Sequence, residues 1–315
     1  MPNALIPGIL KNDTGSISKA ITRIENNIHV PDSFFHDLHN HSASSIRIGI
    51  TGPPGAGKST LTNELIEICL LNKKSVGVIA VDPTSPFSGG ALLGDRVRMN
   101  KYLWDDRVFI RSMGNHGDLG GLARRAQEVG DVLAASGKDY ILYETVGVGQ
   151  GEYDVAKAAD ITIVVLVPES GDEIQLMKAG LIEIADLFVI NKSDREGANR
   201  LATLLKNILH NFSAHGKIEP PVYNTVATQG KGIVELFLGI KEHLNLMDTK
   251  GMLDLRRLSR YRNRVSDLIR EQLEDEFWTP EKRTFLNSAT QTLDSIKSAP
   301  IIMAQLLLGQ SINES

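Results

Sequence analysis

The segment from Ile46 to Asn63 restricts the fold more than any other part of this 315-residue chain. It begins with an apolar run around Ile48 and Ile50, which predicts a buried strand, and apolar residues recur at helical spacing from Leu61 onward. Between them lies Gly-Pro-Pro-Gly-Ala-Gly-Lys-Ser, which fits the pattern G-x-x-x-x-G-K-[ST] at every fixed position. Strand, loop and helix therefore occur in the order that a phosphate-binding loop requires.

This loop predicts which residues surround the phosphates of a nucleotide. In such loops backbone N–H groups point at phosphate oxygens, and the N-terminus of the following helix adds positive potential. Lys58 is expected to reach the β- and γ-phosphates as a catalytic residue, and the Ser59 hydroxyl to bind Mg²⁺. A chance glycine- and proline-rich turn is the alternative, and the correct flanking elements disfavour it. The predicted nucleotide contacts here are Gly52, Pro53, Pro54, Gly55, Ala56, Gly57, Lys58, Ser59 and Thr60.

Apolar runs alternate with helical patterns from Ile46 to about Leu246. Such runs predict a mostly parallel sheet covered on both faces, so the expected fold is a three-layer α/β domain of the P-loop NTPase type. Ligands bind these domains at the carboxyl ends of the strands, which makes the residues after each run the site candidates. After the first strand, the predicted strands are Val76–Val81, Val108–Ile110, Tyr140–Tyr143, Ile161–Val167 and Leu187–Ile190, and a seventh begins at Pro221.

Acidic residues at two of these strand ends predict the magnesium side of the site. Asp82 and Asp95 lie in one long loop after the second strand and are candidate Mg²⁺ carboxylates, direct or through water, although they could instead only cap turns and helices. Glu144 ends the fourth strand, and the N–H of Gly147 is expected to contact the γ-phosphate, which makes both candidate catalytic residues of a switch. Because Val148 rather than glutamine follows, slow intrinsic hydrolysis is expected.

The sequence Asn191-Lys-Ser-Asp after the sixth strand predicts guanine selection. The Asp194 carboxylate can accept hydrogen bonds from N1–H and the N2 amine of guanine, whereas adenine presents an acceptor at N1. The Lys192 stem can cover the base, and Asn191 can tie the loop together. The expected ligands are therefore GTP and GDP. A further guanine-contacting segment is expected after the seventh strand, at Val226, Ala227 and Thr228.

Composition indicates where such a protein works. The net charge of −4 gives no basic field for nucleic acid, so no nucleic-acid partner is expected. No apolar run reaches the roughly 18 residues that span a bilayer, and the N-terminus has no secretory pattern, so no membrane partner is expected. Cys69 is the single cysteine, which argues for a reducing compartment and a cytoplasmic protein.

The sequence outside the nucleotide domain predicts helices. We expect an N-terminal helical extension at 1–45, the nucleotide domain at 46–246 and a C-terminal helical region at 247–315. Residues 1–15 are expected to be loose or lightly docked, and the following helix to be capped by Ser16 or Thr14. The C-terminal helices carry apolar faces that need a partner, which favours dimerisation with a second copy of the chain.

Together these motifs resemble the MeaB/ArgK/MMAA family of GTPases. The resemblance covers most of the chain and is carried by the sequences GPPGAGKST, DPTSPFSGGALLGDRVRM, ETVGVGQGE and NKSD. It implies a homodimeric GTPase that acts as a chaperone for an adenosylcobalamin-dependent acyl-CoA mutase of the methylmalonyl-CoA mutase type, gating cobalamin loading and protecting the mutase. It also implies that Asp172, Glu173, Gln175 and Lys178 relay the nucleotide state to that partner. The family commonly has serine where Val226 stands.

Two other functions fit the same loop. One is a kinase for arginine and ornithine uptake, which would need ATP preference, and Asp194 argues against that preference. The other is a metal-delivery GTPase, which would need a segment rich in His and Cys. Only His36, His39 and His41 resemble such a segment, in what reads as a polar linker.

Overall fold

The structure, a computed structural model, describes residues 2–26, 28, 30–42, 44–82, 100–102, 104–114, 125–145, 151–170, 180–212 and 218–309. The chain divides into two compact units, Met1–Arg257 and Leu258–Ser315. The division into 1–45, 46–246 and 247–315 stays a prediction.

The first unit is built on one parallel sheet. Its strand order is β3-β2-β4-β1-β5-β6-β7, so the strand that leads into the phosphate loop lies at the centre. Every described pairing between these strands is parallel. The strands are β1 (Ile46–Thr51), β2 (Val76–Asp82), β3 (Val108–Gly114), β4 (Tyr140–Thr145), β5 (Ile161–Leu166), β6 (Leu187–Ile190) and β7 (Val222–Asn224). The predicted α/β fold and its strand order along the chain are confirmed.

Helices cover both faces of the sheet. In the first unit they are α1 (Ile6–Leu10), α2 (Thr14–Glu25), α3 (Asp32–His41), α4 (Lys58–Leu71), α5 (Ala126–Ala135), α6 (Gly151–Ala158), α7 (Leu181–Ile184), α8 (Ala198–Phe212) and α9 (Ile233–Thr249). Helix α10 spans Met252–Phe277, and α11 (Pro280–Ala289) and α12 (Pro300–Leu307) follow it.

Side-chain alternation along the strands divides the core into layers. Ile48 and Ile50 of β1 belong to a buried cluster with Leu61 and Leu65 of α4. On the other face, Tyr143 of β4 lies in a cluster with residues of α2, α5 and α6. Both faces are thus buried, which is why the strands read as continuous apolar runs rather than as alternating ones. The predicted three-layer arrangement is confirmed.

The N-terminal residues are more ordered than the sequence suggests. Of the two expectations for residues 1–15, a loose segment is wrong, because α1 lies there and Ile9 is fully buried in the α2–α5 layer, so the segment is docked. The cap of α2 is Asp13, whose carboxylate accepts a hydrogen bond from the Ser16 N–H, rather than Ser16 or Thr14. The histidine run lies in α3, not in a linker, because Phe34 and its neighbours on one face are buried.

The second unit is helical. Its large apolar side chains with substantial exposure are Leu258, Tyr261, Val265, Leu268, Ile269, Leu273, Phe285, Leu293, Ile296, Ile301, Leu306 and Leu308. Across the part of the chain that the structure describes, no helix is both long enough and apolar enough to cross a membrane.

Candidate functional site

The phosphate loop contains glycines at positions where a side chain would not fit. Gly52 has φ +137° and Gly57 has φ +88°, backbone angles that L residues with side chains rarely adopt. A Cβ atom at Gly52 would lie 2.1 Å from the carbonyl oxygen of Val165, and one at Gly57 would lie 2.4 Å from Nδ2 of Asn191. The loop therefore packs closely against β5 and the end of β6, and only glycine allows that approach.

Lys58 holds its charge inside this loop. Its side chain is buried, and its Nζ donates hydrogen bonds to the carbonyl oxygens of Gly52 at 2.7 Å and Pro53 at 3.0 Å. Lys58 is also the first residue of α4, whose free N–H groups add positive potential. A phosphate oxygen can replace a carbonyl oxygen as the acceptor without moving the ammonium group out of the loop.

Glu144 meets the phosphate loop from the neighbouring strand. The β1–β4 register places it opposite Ile50, so its side chain points to the face that α4 covers. There the Ser59 hydroxyl donates a hydrogen bond to Oε1 of Glu144 at 2.5 Å. Glu144 is 1% exposed and Ser59 is half-buried, so the structure brings two predicted metal-side residues into direct contact.

The chemistry of this pair fits Mg²⁺. Hydroxyl and carboxylate oxygens are ligands that Mg²⁺ accepts, and in nucleotide sites it takes one or two protein ligands and completes its shell with phosphate and water. Within the described ranges, no three or more His, Cys, Asp or Glu side chains are arranged to hold a metal ion. Among the described residues, Ser59 and Glu144 could supply protein ligands of this kind.

Several predicted residues lie outside the described part. Asp82 ends β2, where it pairs with Gly114, but its side chain is not among the described atoms. The other predicted site residues that lie outside the described residues are Asp95, Gly147, Asp172, Glu173, Gln175 and Lys178. Their roles stay predictions.

Asn191 connects the phosphate loop to the segment after β7. It is 3% exposed, and its Nδ2 donates a hydrogen bond to the carbonyl oxygen of Ala56 at 2.9 Å. Its Oδ1 accepts from Thr225 Oγ1 and from the Ala227 N–H, each at 3.1 Å. The predicted role of Asn191 in tying the loop together has a direct geometric basis, since one amide group holds both segments.

The remaining residues of this motif lie at the surface. Lys192 has φ +55°, and its Nζ donates to the Gly55 carbonyl oxygen at 2.8 Å, so its stem runs along the phosphate loop. Asp194 is exposed and open to a ligand. Of the predicted segment after β7, Val226 and Ala227 are buried, and Thr228 is exposed.

One pair of side chains beside the site has no role predicted from the sequence. Thr145 Oγ1 donates a hydrogen bond to Thr51 Oγ1 at 3.1 Å, and both side chains are buried. Each threonine adjoins a motif residue, Gly52 in one case and Glu144 in the other. The signal that would have revealed the pair is the β1–β4 register, and strand pairing cannot be deduced from either motif alone.

A glycine-rich loop between the central parallel strand and α4, with Lys58 inside it and a Ser–Glu pair beside it, defines the class: this protein is a P-loop NTPase. Residues 17–282 match the family model described as methylmalonyl Co-A mutase-associated GTPase MeaB. The chain therefore belongs to the MeaB family of GTPases, which confirms the resemblance noted from its motifs.

Relatives from distant organisms align over most of the chain. A protein of Pyrococcus abyssi that is described as a GTPase is 42% identical to this chain over 317 residues, which cover 98% of each chain. GTPase ArgK of Escherichia coli is 36% identical over 241 residues, or 75% of this chain and 71% of that one. The mouse protein named methylmalonic aciduria type A homolog, mitochondrial, is 37% identical over 239 residues, or 75% of this chain and 58% of that one.

Solved structures show the same fold. A protein described as an LAO/AO transport system kinase has a TM-score of 0.70 and 22% identity, with 98% of this chain and 96% of that chain covered. HypB from Helicobacter pylori, solved in complex with nickel, has a TM-score of 0.50 and 17% identity over 68% of this chain and 92% of its own. At these identities the similarity concerns the fold alone.

Proposed function

We propose that the chain binds GTP and GDP with Mg²⁺ at the carboxyl edge of β1, β4 and β6, and hydrolyses GTP to GDP and phosphate. The observation that carries this proposal is the Ser59–Glu144 hydrogen bond, which joins two motifs 85 residues apart beside the phosphate loop. The geometry supports a direct role for the strand-end carboxylate at the phosphate end of the nucleotide.

The proposed chemistry assigns one task to each described residue. Lys58 would exchange a loop carbonyl for oxygens of the β- and γ-phosphates, and Ser59 and Glu144 would hold Mg²⁺. The ion, when bound, supplies positive charge that offsets the charge on the phosphates. Asp82, Asp95 and the N–H of Gly147 would complete this side, as the family resemblance implies. With Val148 after Gly147, the turnover of the isolated protein should lie far below the range of about 1–1,000 per second typical of enzymes.

Asp194 provides the sharpest test of base selection. Nucleotide affinities of the purified protein for GDP, ADP and xanthosine diphosphate should show a guanine preference, and Asp194→Asn should shift that preference toward xanthine. Glu196→Gln is the matched control, because Glu196 is an exposed acid two residues away. Unchanged guanine selectivity in Asp194→Asn would remove Asp194 from the base site.

We further propose a partner for this GTPase: an adenosylcobalamin-dependent mutase of the methylmalonyl-CoA type, whose cobalamin loading it gates and which it protects. The family description and the name of the mouse relative support this partner. The segment with Asp172, Glu173, Gln175 and Lys178 would carry the nucleotide state to it. Capture from source lysate with GDP and with a non-hydrolysable GTP analogue should recover a cobalamin mutase in one nucleotide state more than in the other. Equal recovery in both states would contradict the gating role.

The exposed apolar residues of the second unit support a homodimer. Leu258, Tyr261, Val265 and Leu268 recur every three or four residues along α10, the spacing of one helix face. Val265→Glu should convert the dimer to a monomer in light scattering, whereas Asn263→Glu, an exposed position on another side of the helix, should not. A wild-type chain that stays monomeric would exclude this interface.

A transport-associated kinase is the second candidate, because a protein of the same fold is described as an LAO/AO transport system kinase, although the relative from Escherichia coli is named GTPase ArgK. It would require ATP preference and transfer of the γ-phosphate to a protein. Incubating the same purified chain with ATP or GTP labelled in the γ-phosphate separates the two functions. A kinase would transfer the label from ATP to a protein, whereas a GTPase would release it from GTP as phosphate.

A further inference from the structure

The described residues tie the end of β4 to the two ends of the phosphate loop at two points, and the sequence predicts a role for the residues of only one of them. Glu144 accepts from Ser59, the residue after Lys58, and Thr145 donates to Thr51, the residue before Gly52. Glu144 and Thr145 are consecutive, so their side chains lie on opposite faces of the sheet. The two bonds therefore flank the phosphate loop, one at each end and on each face.

The threonine pair continues the strand pairing by one residue. The β1–β4 register ends with Ile50 opposite Glu144, and the next two residues, Thr51 and Thr145, are joined through their hydroxyl groups. Thr51 is fully buried and Thr145 is 6% exposed, so water does not compete freely for this bond. A hydrogen bond at this point restricts how far the two strand ends can separate.

We propose that Thr51 and Thr145 are positioning residues for GTP hydrolysis, and that their hydrogen bond sets the distance between Glu144 and the phosphate loop. This inference rests on the proposed GTPase function. The Ser59–Glu144 bond holds the end of β4 to the phosphate loop on the face that α4 covers, and the threonine pair holds it to the end of β1 on the opposite face. Loss of the threonine bond would leave the position of Glu144 less restricted on that second face.

The test compares variants that differ only in the hydroxyl group. Thr145→Val keeps the shape and removes the donor, and we expect its kcat for GTP to fall about tenfold, which corresponds to about 1.4 kcal/mol. Its affinity for GDP should change by less than about threefold, because phosphate binding depends mainly on the loop backbone. Thr145→Ser, which keeps the hydroxyl, should restore most of the rate. Thr51→Val should reproduce the defect, and the double variant should be no slower than either single one.

Thr162→Val is the matched control. Thr162 is buried on the same face of the neighbouring strand, opposite Gly49, and its hydroxyl has no hydrogen-bond partner within the described part of the chain. It should leave kcat unchanged. If Thr145→Val does not fold in a thermal unfolding assay, Thr145→Ala against Thr145→Ser makes the same comparison, since both lack the methyl group and only serine retains the hydroxyl.

The outcomes separate the two proposals. If the wild-type protein is active and both Thr145→Val and Thr51→Val have a kcat within twofold of the wild-type value, the positioning role is overturned. A Thr145→Ser variant that is as slow as the valine or alanine variant would overturn it as well. An equal loss in Thr162→Val would assign the effect to general packing and would also overturn it. Wild-type protein that binds no guanine nucleotide would overturn the proposed function, and this inference with it.

Discussion

Replacing Asn191 with leucine should separate the phosphate loop from the segment after β7. The two side chains have similar volumes, but leucine cannot form the three hydrogen bonds that Asn191 makes with Ala56, Thr225 and Ala227. Asn191 is 3% exposed, so the carbonyl of Ala56 and the N–H of Ala227 would lose a partner in a place that water reaches poorly.

The size of the effect follows from those lost bonds. Removing one partner of a buried hydrogen bond costs about 1–3 kcal/mol, and the Thr225 hydroxyl can rotate toward another acceptor. Counting the two backbone groups at about 1.5 kcal/mol each gives a loss of about 3 kcal/mol in the unfolding free energy of the first unit. With a urea m-value of about 3 kcal/mol/M, the unfolding midpoint should fall by about 1 M.

Two further variants show whether the reasoning is right. Asn199→Leu, at an exposed position near the start of α8, should shift the midpoint by less than about 0.2 M. Asn191→Asp keeps the acceptor for Thr225 and Ala227 but turns a carboxylate oxygen toward the buried Ala56 carbonyl, so it should also lower the midpoint and should weaken GDP binding. If the midpoint of Asn191→Leu fell no more than that of Asn199→Leu, Asn191 would not connect the two segments as we describe.

Three other expectations test the fold around the site. Gly57→Ala should lower the free energy of unfolding more than Gly137→Ala and should also abolish nucleotide binding. Both glycines have positive φ, +88° and +82°, but only at Gly57 would the new Cβ lie within 4 Å of another group. Equal effects of the two substitutions would contradict this packing. Cys69 is 2% exposed and burial raises its pKa to about 12, so a thiol reagent at pH 8 should label it readily in denaturant and very slowly in the native protein. Burial also lowers the pKa of His243, outweighing the opposite effect of Asp186, so the unfolded state binds the proton more readily and stability should fall as the pH drops below about 6.5. His243→Gln should flatten that part of the pH profile of the unfolding midpoint.

The sheet was predictable because burial on both faces leaves a direct mark on the sequence. Val76–Val81 and Leu187–Ile190 are runs of apolar residues, and the observed strands match them to within a residue. Tyr140–Tyr143 extends to Thr145 in the structure, since Glu144 and Thr145 are polar residues buried through hydrogen bonds with Ser59 and Thr51. No periodicity rule can include them, because their partners are distant in sequence.

The N-terminal residues were not predictable from the local sequence pattern. Pro7 and Gly8 argue against regular structure, yet both lie in α1. Ile9 of this helix belongs to a buried cluster with residues of α2 and of α5, and α5 lies more than 100 positions later in the sequence. The predicted third strand ends at Ile110, but Arg111 also lies in β3 and forms an ion pair with Glu25 of α2. In both cases tertiary contacts override the local pattern.

The two sides of the phosphate loop are built for different tasks. On the β6 side, Asn191 and Lys192 bond to backbone carbonyls of the loop, and these bonds can persist when a nucleotide binds. On the β4 side, the Ser59–Glu144 bond occupies the same two oxygens that would hold Mg²⁺. If Mg²⁺ binds at Ser59 and Glu144 as proposed, the β4 side is where the phosphate end of the nucleotide would act on the protein. Asn191 and Lys192 would keep the β6 side joined to the loop in either nucleotide state, because their bonds use backbone carbonyls of the loop.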